Sequence, residues 1–136
     1  MPFVLDTSVI MAWCFEDERT DYGHRVLELL SRDHVLVPAV LPLEVANALR
    51  SAERRGRLQE SDAVRFGELL RGLPITVDDS GVELALGPIL SLAREHGLTS
   101  YDASYLELAL REGLALATYD GPLADAARRA GVSLIE

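Results

Sequence analysis

The sequence predicts an α/β fold, a mostly parallel sheet with helices on both faces, from two patterns. Short apolar runs at residues 3–5, 35–37, 75–77, 114–117 and 132–135, most bounded by Pro, Gly or Asp, read as five strands. Between them apolar residues recur at helical spacing. Runs that are apolar throughout, rather than alternating, belong to a sheet covered on both sides, and strands that alternate with helices pair in parallel.

In chain order, the first strand, Phe3-Val4-Leu5, ends at Asp6, and a helix begins near Ser8. The charged stretch from Glu16 to Asp21, with Gly23 behind it, reads as an exposed turn before a helix carrying Val26, Leu29 and Leu30. After the second strand, Leu43, Ala46 and Leu49 mark a helix that stops at Arg55-Gly56, and a further helix stops at Arg71-Gly72-Leu73-Pro74. Beyond the third strand the helix stops are His96-Gly97 and Glu112-Gly113. The last is Ala130-Gly131, just before the fifth run. Glycine suits these positions because it accepts the left-handed backbone that ends a helix.

At 136 residues, 49% of them hydrophobic, one core accounts for a single domain over 1–136, with no linker, repeat or low-complexity tract. The one cysteine, Cys14, lies in an apolar run and is expected as a buried thiol. The opening Met-Pro-Phe-Val-Leu-Asp has no basic segment and only a short apolar one, so neither a signal peptide nor a membrane span is expected, and the location is expected to be cytoplasmic. A net charge of −9 argues against tight binding of nucleic acid over a broad basic surface. All 13 basic residues are arginine, which excludes chemistry that needs a lysine.

In open α/β sheets, ligands bind beyond the carboxyl ends of the strands. Asp6 directly follows the first strand, and Asp120 follows the fourth after a short interval. Glu44 lies soon after Pro42 in its helix, and Asp102 in the first turn of the helix entered at Thr99. Each acid also has a structural explanation. Asp6 and Asp120-Gly121 suit helix caps, Asp102 has the capping-box spacing from Thr99, and Glu44 complements a helix dipole. Taken together, four carboxylates that converge need a shared proton or a cation between them. All-oxygen ligands select a hard cation, Mg²⁺ or Mn²⁺, and the chemistry such a site serves is displacement at phosphorus.

These residues carry a family resemblance. The stretches Val4-Leu5-Asp6-Thr7-Ser8, Leu43-Glu44-Val45-Ala46-Asn47-Ala48-Leu49, Tyr101-Asp102-Ala103-Ser104-Tyr105-Leu106-Glu107-Leu108-Ala109 and Ala117-Thr118-Tyr119-Asp120-Gly121-Pro122-Leu123 together resemble the PIN domain, specifically the VapC-type toxins, over almost the whole chain. The resemblance implies a three-layer α/β/α sandwich. It also implies Mg²⁺ or Mn²⁺ on Asp6, Glu44, Asp102 and Asp120, cleavage of RNA that inhibits translation, a cognate antitoxin that blocks the site, and a homodimer. It further suggests supporting roles for Ser8, Asn47 and Thr118. Asn47 lies one turn from Glu44, where its amide is expected to orient the carboxylate or reach the phosphate, the alternative being a helix-surface asparagine.

Arg50, Arg54, Arg55 and Arg57 form the densest basic stretch, suited either to an RNA backbone or to balancing Glu53, Glu60 and the helix dipole. His24, His34 and His96 lack metal-ligand spacing and read as surface or loop residues. Trp13 and Phe15 read as core or interface. A response-regulator receiver and a haloacid-dehalogenase-type phosphatase both need a lysine, which this chain lacks, and the latter also needs an aspartate where Ser8 stands. The remaining rival is a PIN-fold interaction module without catalysis, against which the retention of all four acids argues, since an idle cluster of like charges only destabilises.

Overall fold

In the computed structural model, which describes residues 1–18 and 20–136, four strands form one parallel sheet. They are β1 (Phe3–Leu5), β2 (Val35–Pro38), β3 (Ile75–Asp78) and β4 (Leu116–Ala117), in the order β3-β2-β1-β4. The apolar runs become strands because β1 is buried at every position, and β2 nearly so. β3 lies at the edge and is only half covered. The fifth expected strand, 132–135, shrinks to a single parallel bridge between Leu116 and Leu134. Its neighbour offers too little backbone. The Leu114 N–H is bound to the Ala109 carbonyl and β4 is two residues long, so Leu116 alone exchanges hydrogen bonds with the Ser133 carbonyl and the Ile135 N–H.

Helices α1 (Thr7–Cys14), α2 (Asp21–Leu29), α3 (Leu41–Arg54) and α4 (Glu60–Arg71) occupy the first half of the chain. The second half holds α5 (Gly81–Leu84), a wider π turn at Ala85–Ile89 containing Pro88, α6 (Leu90–His96), α7 (Ser100–Glu112) and α8 (Gly121–Arg129). Gly113, at φ 66°, turns the chain sharply from α7 into β4, which a side chain would resist. Gly72 does not follow the expected left-handed pattern, with φ −82°, and the Leu73-Pro74 pair stops α4 instead. Of the expected charged turn at 16–21, Glu16–Glu18 forms a 3₁₀ turn and Arg19 lies outside the described residues.

Helix α7 organises the interior. Ala103 to Ala109 are all buried, because one side packs on β1, β2 and β4 and the others meet α6 and α8. Glu107 is therefore buried, and Arg111 one turn on satisfies it with Nε to Oε2 at 2.8 Å and a second bond at 3.1 Å. The same guanidinium reaches Asp78 at the end of β3, at 3.0 and 3.3 Å, tying the edge strand to the central helix. Two expectations change in the fold. Cys14 is half-buried, and the His96 side chain is buried rather than at the surface, its Nδ1 without a hydrogen bond among the described residues. Among the described residues no helix is long and apolar enough to cross a membrane.

Arg111→Ala strands Glu107 in the interior, so it is expected to cost about 2 to 3 kcal/mol in urea denaturation at neutral pH. The Arg111 hydrogen bond holds the Asp78 carboxyl below its ordinary value of 3.8. Its contribution is thus present above that pH and lost as pH falls toward the lowered folded value, and the mutant's deficit should shrink below about pH 4.

Candidate active site

The sheet order reverses at β1: the chain steps from β1 to β2 and β3 on one side, then places β4 on the other. The carboxyl ends of β1 and β4 therefore flank the crevice where α/β folds bind ligands. In the β1–β4 register Leu5 pairs with Ala117, so Asp6 and Thr118 emerge side by side.

Asp6 is 4% exposed. It stands at the N-cap of α1, yet its side chain makes no capping bond. Its Oδ2 instead accepts from the Ser8 hydroxyl at 2.6 Å and the Thr118 hydroxyl at 2.8 Å. Those hydroxyls are oriented by the backbone. Tyr119 N–H donates to Ser8 Oγ and Asp120 N–H to Thr118 Oγ1, both at 2.9 Å, and an N–H can only donate, so each hydroxyl proton turns toward Asp6. Burial raises the Asp6 carboxyl, the two hydroxyls lower it, and the charge of Asp120 raises it, with a net upward shift.

The other acids arrive on helix starts. Glu44 is in the first turn of α3, where Pro42 suits the missing donor. Its Oε1 accepts from Tyr105 OH at 2.6 Å, and Thr7 Oγ1 lies 3.0 Å away. Asp102 is in the first turn of α7, which Thr99 caps by accepting the Asp102 N–H at 3.1 Å, so the cap uses the threonine oxygen. Asp120 does act as a cap, its Oδ2 accepting the Leu123 N–H of α8 at 2.9 Å, which leaves Oδ1 for other work. The four acids share one electrostatic field. Burial, then the charges of Asp120, Asp6 and Glu44, push the Asp102 carboxyl up to about 6.

Among the described residues, no three of the carboxylates close into a ready-made metal cage. The donor set nevertheless fits Mg²⁺ or Mn²⁺, since it is all oxygen, brings the charges of Asp6, Glu44 and Asp120 to bear on Asp102, and includes no histidine or cysteine. Mg²⁺ keeps several waters and needs only one or two direct carboxylates.

Of the other residues singled out from sequence, Ser8 and Thr118 lie at the site, while Asn47 is exposed and makes no hydrogen bond to Glu44 among the described residues. Thr7 and Tyr105 take the place expected for Asn47. Neither had been singled out, although a tyrosine three residues after Asp102 in an apolar helix face must find a partner for its hydroxyl. Burial and the bond to Glu44 raise the Tyr105 phenol above its ordinary range, so it stays a donor. In the arginine stretch, Arg50 pairs with Glu53 at 3.4 Å. Arg57 pairs with Asp17 at 3.2 Å while lying over the Phe15 ring at 4.2 Å, which seats Phe15 in the packing. Arg54 and Arg55 are exposed without an ion pair among the described residues. Trp13 is half-buried, its Nε1 donating to the Gly23 carbonyl at 2.9 Å. A cleft of about 810 Å³ lies away from the acids, between α1, α2 and α4, lined by Trp13, His24, Leu27, Phe66, Leu69 and Leu70 among others.

The PIN domain model matches residues 3–129, and the chain belongs to the PIN-domain family. It is 34% identical over 125 residues, 92% of this chain and 94% of the relative, to Ribonuclease VapC3 of Pyrobaculum aerophilum, which places it with the VapC-type members. Among solved structures it resembles PAE2754 of the same organism (TM-score 0.67, 27% identity, 93% of this chain and 79% of that one). VapBC2 from Rickettsia felis bound to a promoter DNA fragment shares the fold at a TM-score of 0.71 with 14% identity, over 99% and 98% of the two chains.

Asp102→Asn tests whether the acids repel. The folded carboxyl titrates near 6 against an ordinary 3.8, so the native state holds the extra proton between those values and loses stability as pH rises through them. In chelator the mutant should therefore match the parent below about pH 4 and melt at or above it beyond pH 6. A mutant that melts well below the parent at pH 7 would make Asp102 a structural residue.

Proposed function

We propose that the chain is a Mg²⁺-dependent endoribonuclease, with Mn²⁺ as a substitute, that acts as the toxin of a toxin–antitoxin pair and inhibits translation. The observation that carries this reading is the mutual field of the four acids at Asp102. The name of the Pyrobaculum aerophilum relative, a ribonuclease, supports RNA as the substrate. Asp6, Glu44, Asp102 and Asp120 would hold the ion, which when bound lowers the pKa of an attacking water and neutralises the leaving oxygen. The chain supplies the rest. Ser8 and Thr118 fix Asp6 by spending their protons on Oδ2. Asp102, its carboxyl raised to about 6, holds a proton more readily than an ordinary carboxylate when no cation is near, and positive charge at the site favours its release. Arg54 and Arg55, exposed at the end of α3, supply guanidinium groups for the RNA backbone. Cleavage of a mixed RNA pool should disappear in excess EDTA and return with Mg²⁺, and cleavage undiminished by chelator would remove the metal from the mechanism.

The partner in this reading is a cognate antitoxin, supported by the VapBC assembly among structures of the same fold. Two surfaces suit it. The acid crevice fits an arginine or other cation from a tail, and the cleft between α1, α2 and α4, with Leu27 and Leu69 exposed, fits an apolar segment. A homodimer is part of the same proposal, for which Val82 and Leu86, exposed and four residues apart, offer an apolar contact. Antitoxin affinity should fall as salt rises and should fall further when Asp6 and Asp102 are both Asn. An affinity unmoved by that double substitution would rule out blocking by a cation among the acids.

A further inference from the structure

Three oxygens meet behind the site. Tyr105 OH lies 2.6 Å from Glu44 Oε1, Thr7 Oγ1 lies 2.7 Å from Tyr105 OH, and Thr7 Oγ1 lies 3.0 Å from Glu44 Oε1. Each hydroxyl carries one proton and an ionised carboxylate none, so two protons serve three edges of the triangle. The 2.6 Å edge takes the Tyr105 proton, as a charge-assisted bond to the carboxylate, and the 2.7 Å edge takes the Thr7 proton, because two hydroxyl oxygens come that close only with a proton between them. Thr7 then donates to Tyr105 and Tyr105 donates to Glu44, and the 3.0 Å edge is a contact closed by the other two.

We propose that Tyr105 is the positioning residue for Glu44 and that Thr7 acts through it, a relay that fixes Oε1 and leaves Oε2 to face an ion. The inference rests on the reading of Glu44 as a metal-binding carboxylate. Tyr105 is 0% exposed, its ring locked in the main core, so the phenol oxygen has no freedom to wander. It stands three residues after Asp102 on α7, and Glu44 stands on α3. One rigid helix therefore both carries one acid and sets the orientation of another from a different element. A free glutamate side chain has three rotatable bonds to order on binding an ion. Anchoring one oxygen in advance removes most of that cost.

Calorimetric titration of Mn²⁺ into the metal-free protein tests the relay, alongside thermal melts of the same samples. Tyr105→Phe keeps the ring and loses the donor, and should weaken Mn²⁺ binding about tenfold or more. Thr7→Val should weaken it less, Thr7→Ser should restore it, and Tyr105→Phe with Thr7→Val should be no worse than Tyr105→Phe alone, because both act on one bond. If the phenylalanine variant fails to fold, the contrast between Thr7→Val and Thr7→Ser carries the test. A purely structural role lowers the melting temperature and leaves the affinity untouched, which overturns the proposal. So do losses from the two variants that multiply. Glu44→Gln separates the layers: weakened binding there with unchanged binding in Tyr105→Phe overturns the positioning role alone. A parent that binds no Mn²⁺ overturns the metal reading and this inference with it.

Discussion

Like charges brought together are held apart by their own repulsion unless the fold opposes it, and the structure depends on how that repulsion is carried. Each acid is anchored by the element that carries it, and only Asp120 repays that element with a cap from its own carboxylate. Asp6 is fixed by the end of the central strand, Glu44 and Asp102 by first helical turns, and Asp120 by its cap on α8. The parallel sheet makes the convergence possible, because its switch point between β1 and β4 opens on one edge and the starts of α3 and α7 border the same edge.

Hydroxyl groups, not cations, support the individual carboxylates. Ser8 and Thr118 serve Asp6, Tyr105 and Thr7 serve Glu44, and no arginine pairs with any of the four acids among the described residues. The distinction has a physical consequence. A fixed guanidinium would neutralise the site permanently and compete with an incoming ion, whereas a hydroxyl donor steadies an oxygen while leaving its charge in place. Where the chain does need a neutralised acid, at Glu107 in the core, it supplies Arg111 with paired hydrogen bonds.

Much of this was legible in the sequence wherever one local rule decided the outcome. Four of the five apolar runs became strands, and Asp6 and Asp120 follow two of them. The fifth run failed because pairing depends on a neighbour: Leu116 offers one residue of open ladder, and no pattern within 132–135 could announce that. Glycine at a helix stop gave the left-handed turn at Gly113 but not at Gly72, where Pro74 was the stronger constraint. His96 reads as polar and therefore exposed, yet its side chain is buried at the end of α6 by tertiary packing alone. Asn47 and Tyr105 illustrate the same limit at the site. Helical spacing put Asn47 near Glu44, but Asn47 is exposed to solvent, and the partner came from another helix, 61 positions along the chain.

The tyrosine that supports Glu44 also explains how α7 can be buried along its whole middle and still serve a polar site. A helix enclosed from Ala103 to Ala109 would ordinarily contribute only packing. Tyr105 gives the core a large apolar ring and sends one polar atom out at its far end, where the hydroxyl of Thr7 and the carboxylate of Glu44 satisfy it. Stability and site geometry are thereby joined in one residue: the packing that holds the ring is what holds the oxygen still. Asp102, half-buried in the first turn of the same helix, takes its position from that packing and bears part of its cost, since burial first and then the charges of Asp120, Asp6 and Glu44 push its carboxyl up to about 6.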